Sequence, residues 1–364
     1  MKLKKLFLFI FSCFLIISTL QGNSALIIHP TMEFNHSGKT LAFSPTNNIL
    51  VCGKQYGSLS VINLTSGEDI VNHKAHNYTI FDAKFSYLGD IFATASGDHT
   101  IKLWNASDGS YIRSLIGHKQ DVSSLSFSPD NKYLASGSWD GTIKIWNFSS
   151  GLEINSFSRL NDGISSLEYS SDGTYFVATT FDDSVVIVDS QNGTILYEYS
   201  IGTYQYSVSF SFDGKFIAFS TLWGYIYIYD INLNVRNKTL FTGKSFDIIT
   251  LEFSDKYPYL VSGSDDGTVT LWDYIKGEEM TKWKAHNNSV NDVEISSNEL
   301  LGTASLDGKI KIWNISSLIR PILTSETTIS ISTPGKTTVF TGFEIMVFAI
   351  VTIKFFKKRP TKYK

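Results

Sequence analysis

The chain has 364 residues, of which 43% are hydrophobic and 14% aromatic, so it can bury the core of one large domain. Of its two cysteines, Cys13 lies in an N-terminal apolar segment, which leaves Cys52 without an intramolecular disulfide partner in a mature chain. Acidic residues exceed basic ones by about 11 between residues 25 and 338, which excludes nucleic acid as a favoured partner because that affinity depends on neutralising phosphate.

The N-terminal segment is typical of a secretory signal peptide. Lys2, Lys4 and Lys5 precede an apolar run at residues 6–20, and residues 21–25 (QGNSA) are small or polar. We predict a signal peptide at residues 1–24, with cleavage after Ser24 or Ala25. An uncleaved N-terminal anchor is the alternative.

One repeated unit is clearest between Gly117 and Asn147. Alternating apolar and polar residues at 122–127, 133–138 and 142–146 predict three half-buried strands, and residues 153–157 predict a fourth. Residues 128–131 (SPDN) favour a type I turn, and Asp140-Gly141 favours a tight hairpin with positive φ. The resulting antiparallel sheet cannot stand alone, because both of its faces are apolar.

The residue near the end of the third strand recurs at intervals of 41 to 43 residues. Its seven equivalents are Ile62, Trp104, Trp146, Val188, Tyr229, Trp272 and Trp313. A period of this length with four strands per repeat predicts a β-propeller. We therefore predict an all-β fold in which seven four-stranded antiparallel blades close into a ring over residues 25–323.

These repeats resemble the WD-repeat family from about Ala25 to Ile319. The family pattern is Gly-His before the first strand, Asp between the second and third strands, and Trp-Asp or Trp-Asn after the third. The third repeat fits fully, and the second and seventh have Ala in place of Gly. The other repeats depart from it: Lys244 replaces His, Ile62, Val188 and Tyr229 replace Trp, and Tyr56 and Trp223 replace Asp.

The resemblance implies a buried hydrogen-bonded chain of four side chains in each complete repeat. The three chains are His76, Thr94, Asp98 and Trp104; His118, Ser136, Asp140 and Trp146; and His286, Thr303, Asp307 and Trp313. His beside Asp and Ser also suggests a hydrolase, but a catalytic site would be unique, whereas this arrangement recurs. We predict a structural role for the chains, and we predict no catalytic residue, metal site or cofactor.

Two segments compete for the outer strand of the last blade. The repeat period places one near Ile27–Thr31 and the other near Arg320–Thr324. We favour the N-terminal segment, because Pro321 lacks the N–H that a strand ladder needs.

Three further segments follow the predicted propeller. Residues 324–338 are rich in Ser and Thr and predict an extended linker. The apolar residues 339–356 precede the basic residues 357–364, which predicts a transmembrane helix and a basic cytoplasmic tail. An apolar helix packed on the propeller is the alternative. The basic end disfavours a GPI signal.

Nine Asn-x-Ser/Thr sequons predict a glycoprotein if the chain is secreted. They begin at Asn35, Asn63, Asn77, Asn105, Asn147, Asn192, Asn237, Asn287 and Asn314. Four of them share a position after the third strand, where a turn favours Asn and Ser without any glycan.

In WD-repeat propellers two repeat positions point onto the narrow face around the channel. The resemblance therefore places two sets of residues there: Lys39, Phe81, Ser123, Ser165, Tyr206, Ile249 and Asn291, and Gln55, Gly97, Trp139, Phe181, Leu222, Asp265 and Leu306. We predict partner-binding residues at Phe81, Trp139, Phe181, Tyr206, Leu222 and Ile249, because exposed aromatic clusters mark interaction sites. The alternative is that these rings pack on one another or plug the channel.

The sequence favours a non-enzymatic cell-surface scaffold that binds a protein, peptide or glycan. The alternative is a secreted propeller enzyme of the quinone-dependent dehydrogenase or glycan-cleaving type, which should gather carboxylates, Arg or metal ligands in the channel. We expect an aromatic and neutral channel face, an extracellular propeller, and one C-terminal membrane helix with a cytoplasmic end. The terminal apolar segments disfavour an intracellular adaptor.

Overall fold

The computed structural model describes residues 28–46, 48–158, 162–243, 246–319, 329–333 and 336–340. The chain divides into two compact units, Met1–Pro30 and Thr31–Lys364. Residues 28–30 of the first unit are in neither a helix nor a strand. The predicted signal peptide, the basic tail and most of the predicted transmembrane segment lie outside the described residues.

Seven four-stranded antiparallel sheets form the blades of the second unit. Blade one comprises β2 (Gly38–Phe43), β3 (Ile49–Lys54), β4 (Ser58–Asn63) and β5 (Glu68–Lys74). Blade two comprises β6 (Ile80–Phe85), β7 (Ile91–Ser96), β8 (Thr100–Asn105) and β9 (Tyr111–Ile116). Blade three comprises β10 (Val122–Phe127), β11 (Tyr133–Ser138), β12 (Ile143–Asn147) and β13 (Leu152–Phe157). Blade four comprises β14 (Ile164–Tyr169), β15 (Tyr175–Thr180), β16 (Ser184–Asp189) and β17 (Ile195–Ser200). Blade five comprises β18 (Gln205–Phe210), β19 (Phe216–Thr221), β20 (Tyr225–Asp230) and β21 (Val235–Phe241).

Blades six and seven complete the set. Blade six comprises β22 (Ile248–Phe253), β23 (Tyr259–Ser264), β24 (Thr268–Asp273) and β25 (Glu278–Lys284). Blade seven comprises β26 (Val290–Ile295), β27 (Leu300–Ser305), β28 (Ile310–Asn314) and β1 (Met32–Phe34). The first strand of each blade contacts the first strands of both neighbouring blades, so the seven blades form a closed ring.

The predicted turns define the blade register. In blade three the Asn131 N–H donates to the Ser128 carbonyl at 2.9 Å, and the Gly141 N–H donates to the Ser138 carbonyl at 3.1 Å. Gly141 has a φ of 76°, a left-handed conformation that glycine adopts without a steric penalty. Because the turns fix the pairing, Leu134 lies opposite Trp146, and neighbouring side chains of a strand, such as Leu50 and Val51, pack in clusters on opposite sides of the blade.

The hydrophobic core lies between blades. One apolar cluster combines Val51 and Val61 of blade one with Phe92 and Trp104 of blade two, and similar clusters join later blades. The cluster between blades seven and one contains Leu50 and Ile310. Each blade therefore covers the apolar face of its neighbour, which a single sheet cannot do for itself.

The N-terminal strand closes the ring, as predicted. Met32, Glu33 and Phe34 of β1 pair with Ile312, Lys311 and Ile310 of β28. The strand lies later in the chain than the expected Ile27–Thr31, because the connection from β1 to β2 is shorter than the corresponding connections between other blades. Locking one blade with both ends of the propeller chain removes the two free edges that an open ring would expose.

Part of the predicted linker forms a two-stranded sheet of β29 (Ile329–Thr333) and β30 (Lys336–Phe340). The sequence alternates Ile and Ser before Pro-Gly and continues with Thr-Thr-Val, a pattern that favours strands over an extended linker. The second strand also includes the first two residues of the predicted membrane helix. No helix in the described ranges is long and apolar enough to cross a membrane.

Candidate functional site

The structure brings together the four residues of each predicted polar chain. In blade three the Trp146 Nε1–H donates to the Ser136 hydroxyl at 2.8 Å, which donates to His118 Nε2 at 2.7 Å. His118 Nδ1–H donates to Asp140 Oδ2 at 3.1 Å. Equivalent contacts join His76, Thr94, Asp98 and Trp104, and also His286, Thr303, Asp307 and Trp313.

The polar chains hold their carboxylates in the ionised form. Burial opposes ionisation of Asp98 and Asp140, but hydrogen bonds from the neighbouring His and Thr side chains hold the pKa of both carboxyls well below the usual range. Burial lowers the pKa of His76 and His286 despite their Asp partners. Each imidazole is enclosed by its own blade, so the arrangement links strands and presents no nucleophile to a substrate.

Five aromatic side chains from blades two to five form a continuous surface, which we call the aromatic arc. Its members are Phe81, Trp139, Phe181, Tyr204 and Tyr206. Successive ring centroids are 5.5, 5.5, 5.6 and 4.7 Å apart. All five line a cavity of about 550 Å³ that is bordered by the first strands of all seven blades. The rings do pack on one another, yet Trp139 remains 39% exposed.

A glycine allows two rings of the arc to meet. A Cβ added at Gly163 would lie 2.8 Å from Phe181 Cδ2 and 2.9 Å from Trp139 Cα. The Phe181 N–H donates to the Gly163 carbonyl at 3.0 Å, which fixes the loop beside the ring. The absence of a side chain at Gly163 therefore lets the Phe181 ring pack edge to face with Trp139 of blade three.

The other predicted face residues divide into two groups. Lys39, Ser123, Ser165, Ile249 and Asn291 line the same cavity, whereas Leu222 does not. Gln55, Gly97, Asp265 and Leu306 also lie outside the cavity lining. Sequence counting missed Tyr204, because it precedes the first strand and matches neither repeat position. Its only signal was its spacing of two residues from Tyr206.

The interior of the channel is acidic, which corrects the expectation of a neutral channel. Two polar rings line the cavity below the aromatic arc: Thr40, Asp82, Ser124, Ser166, Ser207, Thr250 and Asp292, and then Lys84, Ser126, Glu168, Ser209, Glu252 and Glu294. Each first strand starts with a register shift, such as that between Ile80 and Asp82. This bulge lets two consecutive residues, Phe81 and Asp82, both face the cavity. From the sequence we took one residue of each first strand to face the channel, so we could not find the second residue, such as Asp82.

The channel carboxylates satisfy the backbone of the neighbouring blade. Asp82 accepts the Leu125 N–H at 2.7 Å, and Asp292 accepts the Leu41 N–H at 2.7 Å. Glu168 and Glu252 accept the Phe210 and Ile295 N–H groups. In other blades a hydroxyl does the same: Ser124 accepts the Leu167 N–H at 3.0 Å. These side chains therefore accept N–H groups at the otherwise unpaired inner edge of the neighbouring blade.

Burial in the channel disfavours the ionised carboxylates. It raises the pKa of Glu168 to about 8, of Glu294 to about 7 and of Asp82 to about 6. Lys84 lies among them, with its Nζ 3.2 Å from Glu294 Oε2. Although burial opposes it, the surrounding carboxylates raise the pKa of Lys84 well above its ordinary value. Among the residues that the structure describes, no group of His, Cys, Asp and Glu side chains is arranged to hold a metal ion.

The sequon asparagines are all exposed or half-buried, and several have structural roles. The Asn63 side-chain oxygen accepts the Thr65 N–H, and those of Asn105, Asn147 and Asn314 accept the Ser107, Ser150 and Ser316 N–H groups. These Asx turns account for the Asn-Ser pattern after the third strands. Asn35, Asn77, Asn237 and Asn287 are exposed.

Three relatives share segments with this chain. WD repeat-containing protein 91 homolog of Dictyostelium discoideum is 28% identical over 100 residues, or 27% of this chain and 13% of the relative. Nuclear distribution protein nudF 1 of Talaromyces marneffei is 40% identical over 67 residues, or 18% and 15%. U3 small nucleolar RNA-associated protein 15 homolog of Xenopus tropicalis is 33% identical over 112 residues, or 30% and 21%. The chain thus covers about a fifth or less of the length of each relative.

A family model covers far more of the sequence. Residues 38–314 match the model described as IFT122 first beta-propeller. This range begins with the first strand of blade one and ends with the third strand of blade seven. Because the match spans most of the chain and the blades carry the WD-repeat polar chains, the chain belongs to the WD-repeat propeller family described as IFT122 first beta-propeller.

Proposed function

We propose that the propeller is a non-enzymatic interaction scaffold whose partner, a protein, peptide or glycan, binds across the aromatic arc. The observation that carries the proposal is the unbroken contact of five rings beside the cavity, with Trp139 left 39% exposed. Large aromatic side chains with one open side are typical of binding hot spots. The WD-repeat relatives support a protein as the partner.

The channel carboxylates are the observation that favours the alternative, a propeller enzyme. Their hydrogen bonds argue against it, because Asp82, Glu168 and Glu252 each accept a backbone N–H of the next blade. Serine hydroxyls fill the same role in other blades. Accepting a backbone N–H of the next blade thus explains both the acidic residues and the serines of the two polar rings. The carboxylates need no separate catalytic role to account for their presence.

The proposal is tested by capture of partners from surface extracts with the full-length protein. Trp139→Ala and Phe181→Ala should each weaken partner binding by about 2 kcal/mol, near thirtyfold, without lowering the melting temperature. Tyr111→Ala is the matched control, because Tyr111 is 55% exposed on the outer strand of blade two. Normal binding by both arc variants, or equal loss in the control, would place the partner elsewhere.

We also propose that the propeller is displayed outside the cell, held by one membrane helix within the apolar residues 339–356, with a cytoplasmic C-terminus. The proposal comes from the N-terminal and C-terminal apolar segments and the basic residues 357–364. Protease added to intact cells should remove an epitope placed in the Ser190–Thr194 loop and spare one at the C-terminus. Glycosidase treatment should increase gel mobility if the exposed sequons carry glycans. Protection of the loop epitope until the membrane is permeabilised would refute this location.

A further inference from the structure

We propose that the partner contributes a basic peptide segment that places an arginine side chain over the aromatic arc. This inference rests on the proposed function, because it assigns the chemistry of the partner at the same surface. Two independent features of the charge distribution carry it: a carboxylate beside Phe81 at one end of the arc, and carboxylates beside Tyr206 at the other.

The first carboxylate lies beside Phe81. A Cβ added at Gly97 would lie 3.2 Å from Asp121 Oδ2 and 3.3 Å from Phe81 Cε2, so the carboxylate and the ring flank the same point. The Asp121 backbone carbonyl also accepts the Trp139 N–H at 2.9 Å, which holds this residue against the arc. The nearby imidazole is that of His99, whose Nε2 is 3.5 Å from Asp121 Oδ1. Because that contact involves Oδ1, Asp121 Oδ2 remains beside Gly97, where the Phe81 ring also lies.

Two carboxylates lie at the opposite end, beside Tyr206. The Tyr206 hydroxyl donates to Asp247 Oδ2 at 3.1 Å, and the Asp265 N–H donates to the Asp247 carbonyl at 3.0 Å. Burial raises the pKa of Asp265, and the neighbouring charges of Asp247 and Asp266 raise it further. This end of the arc therefore concentrates negative charge that an incoming cation can relieve.

The channel below the arc contributes little to this field. Its two polar rings carry Asp82, Glu168, Glu252, Asp292 and Glu294, against Lys84 and the neighbouring Lys39. Burial raises the pKa of Glu168, Glu252 and Glu294, which disfavours their ionised forms. The preference for a cation therefore rests on the carboxylates at the two ends of the arc, which attract a cation and repel an acidic peptide or an anionic glycan.

The chemistry of the arc favours arginine among cationic side chains. A guanidinium stacks on aromatic faces and forms two parallel hydrogen bonds with a carboxylate, whereas an ammonium offers only a compact, strongly hydrated charge. Trp139 supplies the best cation-binding ring, and Asp121, Asp247 and Asp265 supply carboxylates at the flanks. A segment with basic residues around the central arginine can use all of them.

The test measures fluorescence anisotropy of labelled nonapeptide pools with the full-length protein. The pools share degenerate flanking positions and differ only in the central residue, which is arginine, citrulline or glutamate. Citrulline keeps the shape of arginine without its charge. The arginine pool should bind at least tenfold more tightly than the citrulline pool, and the glutamate pool should bind weakest. Asp121→Asn combined with Asp265→Asn should reduce the arginine advantage at least fivefold, whereas the control Asp108→Asn, in the exposed turn between β8 and β9, should not.

The outcomes separate this inference from the proposed function. Equal binding of arginine and citrulline pools, abolished in both cases by Trp139→Ala, would overturn the basic preference and retain the arc as a binding surface. Arginine-pool binding that survives Trp139→Ala would overturn both. Absence of binding by every pool would overturn the basic segment, and partner capture with the arc variants would then decide the proposed function alone.

Discussion

Blades three and five hold their strands together in different ways. In blade three the Trp146 indole, the Ser136 hydroxyl, His118 and Asp140 form one hydrogen-bonded chain. In blade five Tyr229 stands at the position of Trp146, and its ring centroid lies 5.5 Å from that of Phe219, which stands at the position of Ser136. Blade five therefore lacks both the hydroxyl that Ser136 supplies and the indole N–H that Trp146 supplies in blade three.

Blades one and four show the same joint replacement. Ile62 accompanies Cys52 in blade one, and Val188 accompanies Ala178 in blade four, with all four side chains buried. Losing one member of a buried polar pair leaves the other unsatisfied, at a cost of about 1–3 kcal/mol, whereas losing both can be nearly neutral. The Trp donor and its hydroxyl acceptor are therefore retained or lost together, and blade six keeps this pair, Trp272 and Ser262, although Lys244 stands at the His position.

The turn between the second and third strands differs in blades one and five, whereas blade four has a single left-handed residue there, Asp183. In blades one and five, Tyr56 and Trp223 have φ values of 59° and 70°, and the following Gly57 and Gly224 are also left-handed. Two successive left-handed residues form a different tight turn from that of blade three, where only Gly141 has a positive φ. Without an Asp to accept hydrogen bonds, the backbone of these blades adopts another conformation.

The largest effect is expected when the turn Asp is replaced in a blade that has the polar chain and in a blade that lacks it. Asp140→Ala should lower the free energy of unfolding by about 3 kcal/mol, because His118, the Lys119 N–H and the Thr142 N–H lose their acceptor. Asp182→Ala in blade four should cost well under 1 kcal/mol, because the exposed Asp182 accepts from the Thr180 hydroxyl. Urea unfolding with a common slope measures both.

Lys132→Ala is the control for this pair, since Lys132 is exposed and pairs with the exposed Asp130. Its effect should stay within about 0.5 kcal/mol. Equal losses for Asp140→Ala and Asp182→Ala would show that the polar chain contributes no more than the packing that replaces it.

A second test separates the polar chains from the channel by pH. The raised pKa of Glu168, about 8, means that the folded chain keeps a proton that the unfolded chain releases near pH 4.3. Stability from this group is complete below that pH and is lost as pH rises toward 8. The lowered pKa values of Asp98 and Asp140 act in the opposite direction, since their contribution is lost on acidification below about pH 4. The melting temperature should therefore peak in the mildly acidic range.

Glu168→Gln sharpens this test, because glutamine keeps an oxygen that accepts the Phe210 N–H. The variant should lose about 1–2 kcal/mol less stability than the parent between pH 5 and pH 8. The exposed Glu68→Gln is the control and should leave the profile unchanged. Parallel profiles for Glu168→Gln and the parent would exclude a proton held by Glu168.

The sequence predicted most of the propeller but only part of the channel. The spacing of Trp104, Trp146 and Trp313 and the turn residues between strands were enough for blade number and strand order, because each repeat encodes the same local turns. The acidic rings were missed because a bulge such as that at Ile80 and Asp82 shifts the alternation by one residue. Bulges depend on how neighbouring strands pair, which a single strand pattern does not contain.

The smallest expected effect is in a test of whether the side chains of one polar chain contribute to stability in a coupled way. Ser136→Ala leaves the Trp146 indole N–H and His118 Nε2 without their shared partner, whereas Trp146→Phe removes the indole donor. If the chain acts as a set, the double variant should be more stable than the sum of the single losses predicts, by about 1 kcal/mol in a double-mutant cycle. Ser136→Ala combined with Trp313→Phe provides the matched control, because Trp313 donates to Thr303 in another blade and should add independently. A cycle energy near zero within blade three would mean that its hydrogen bonds contribute separately, and the joint replacement seen in blades one, four and five would then need a cause other than unsatisfied polar groups.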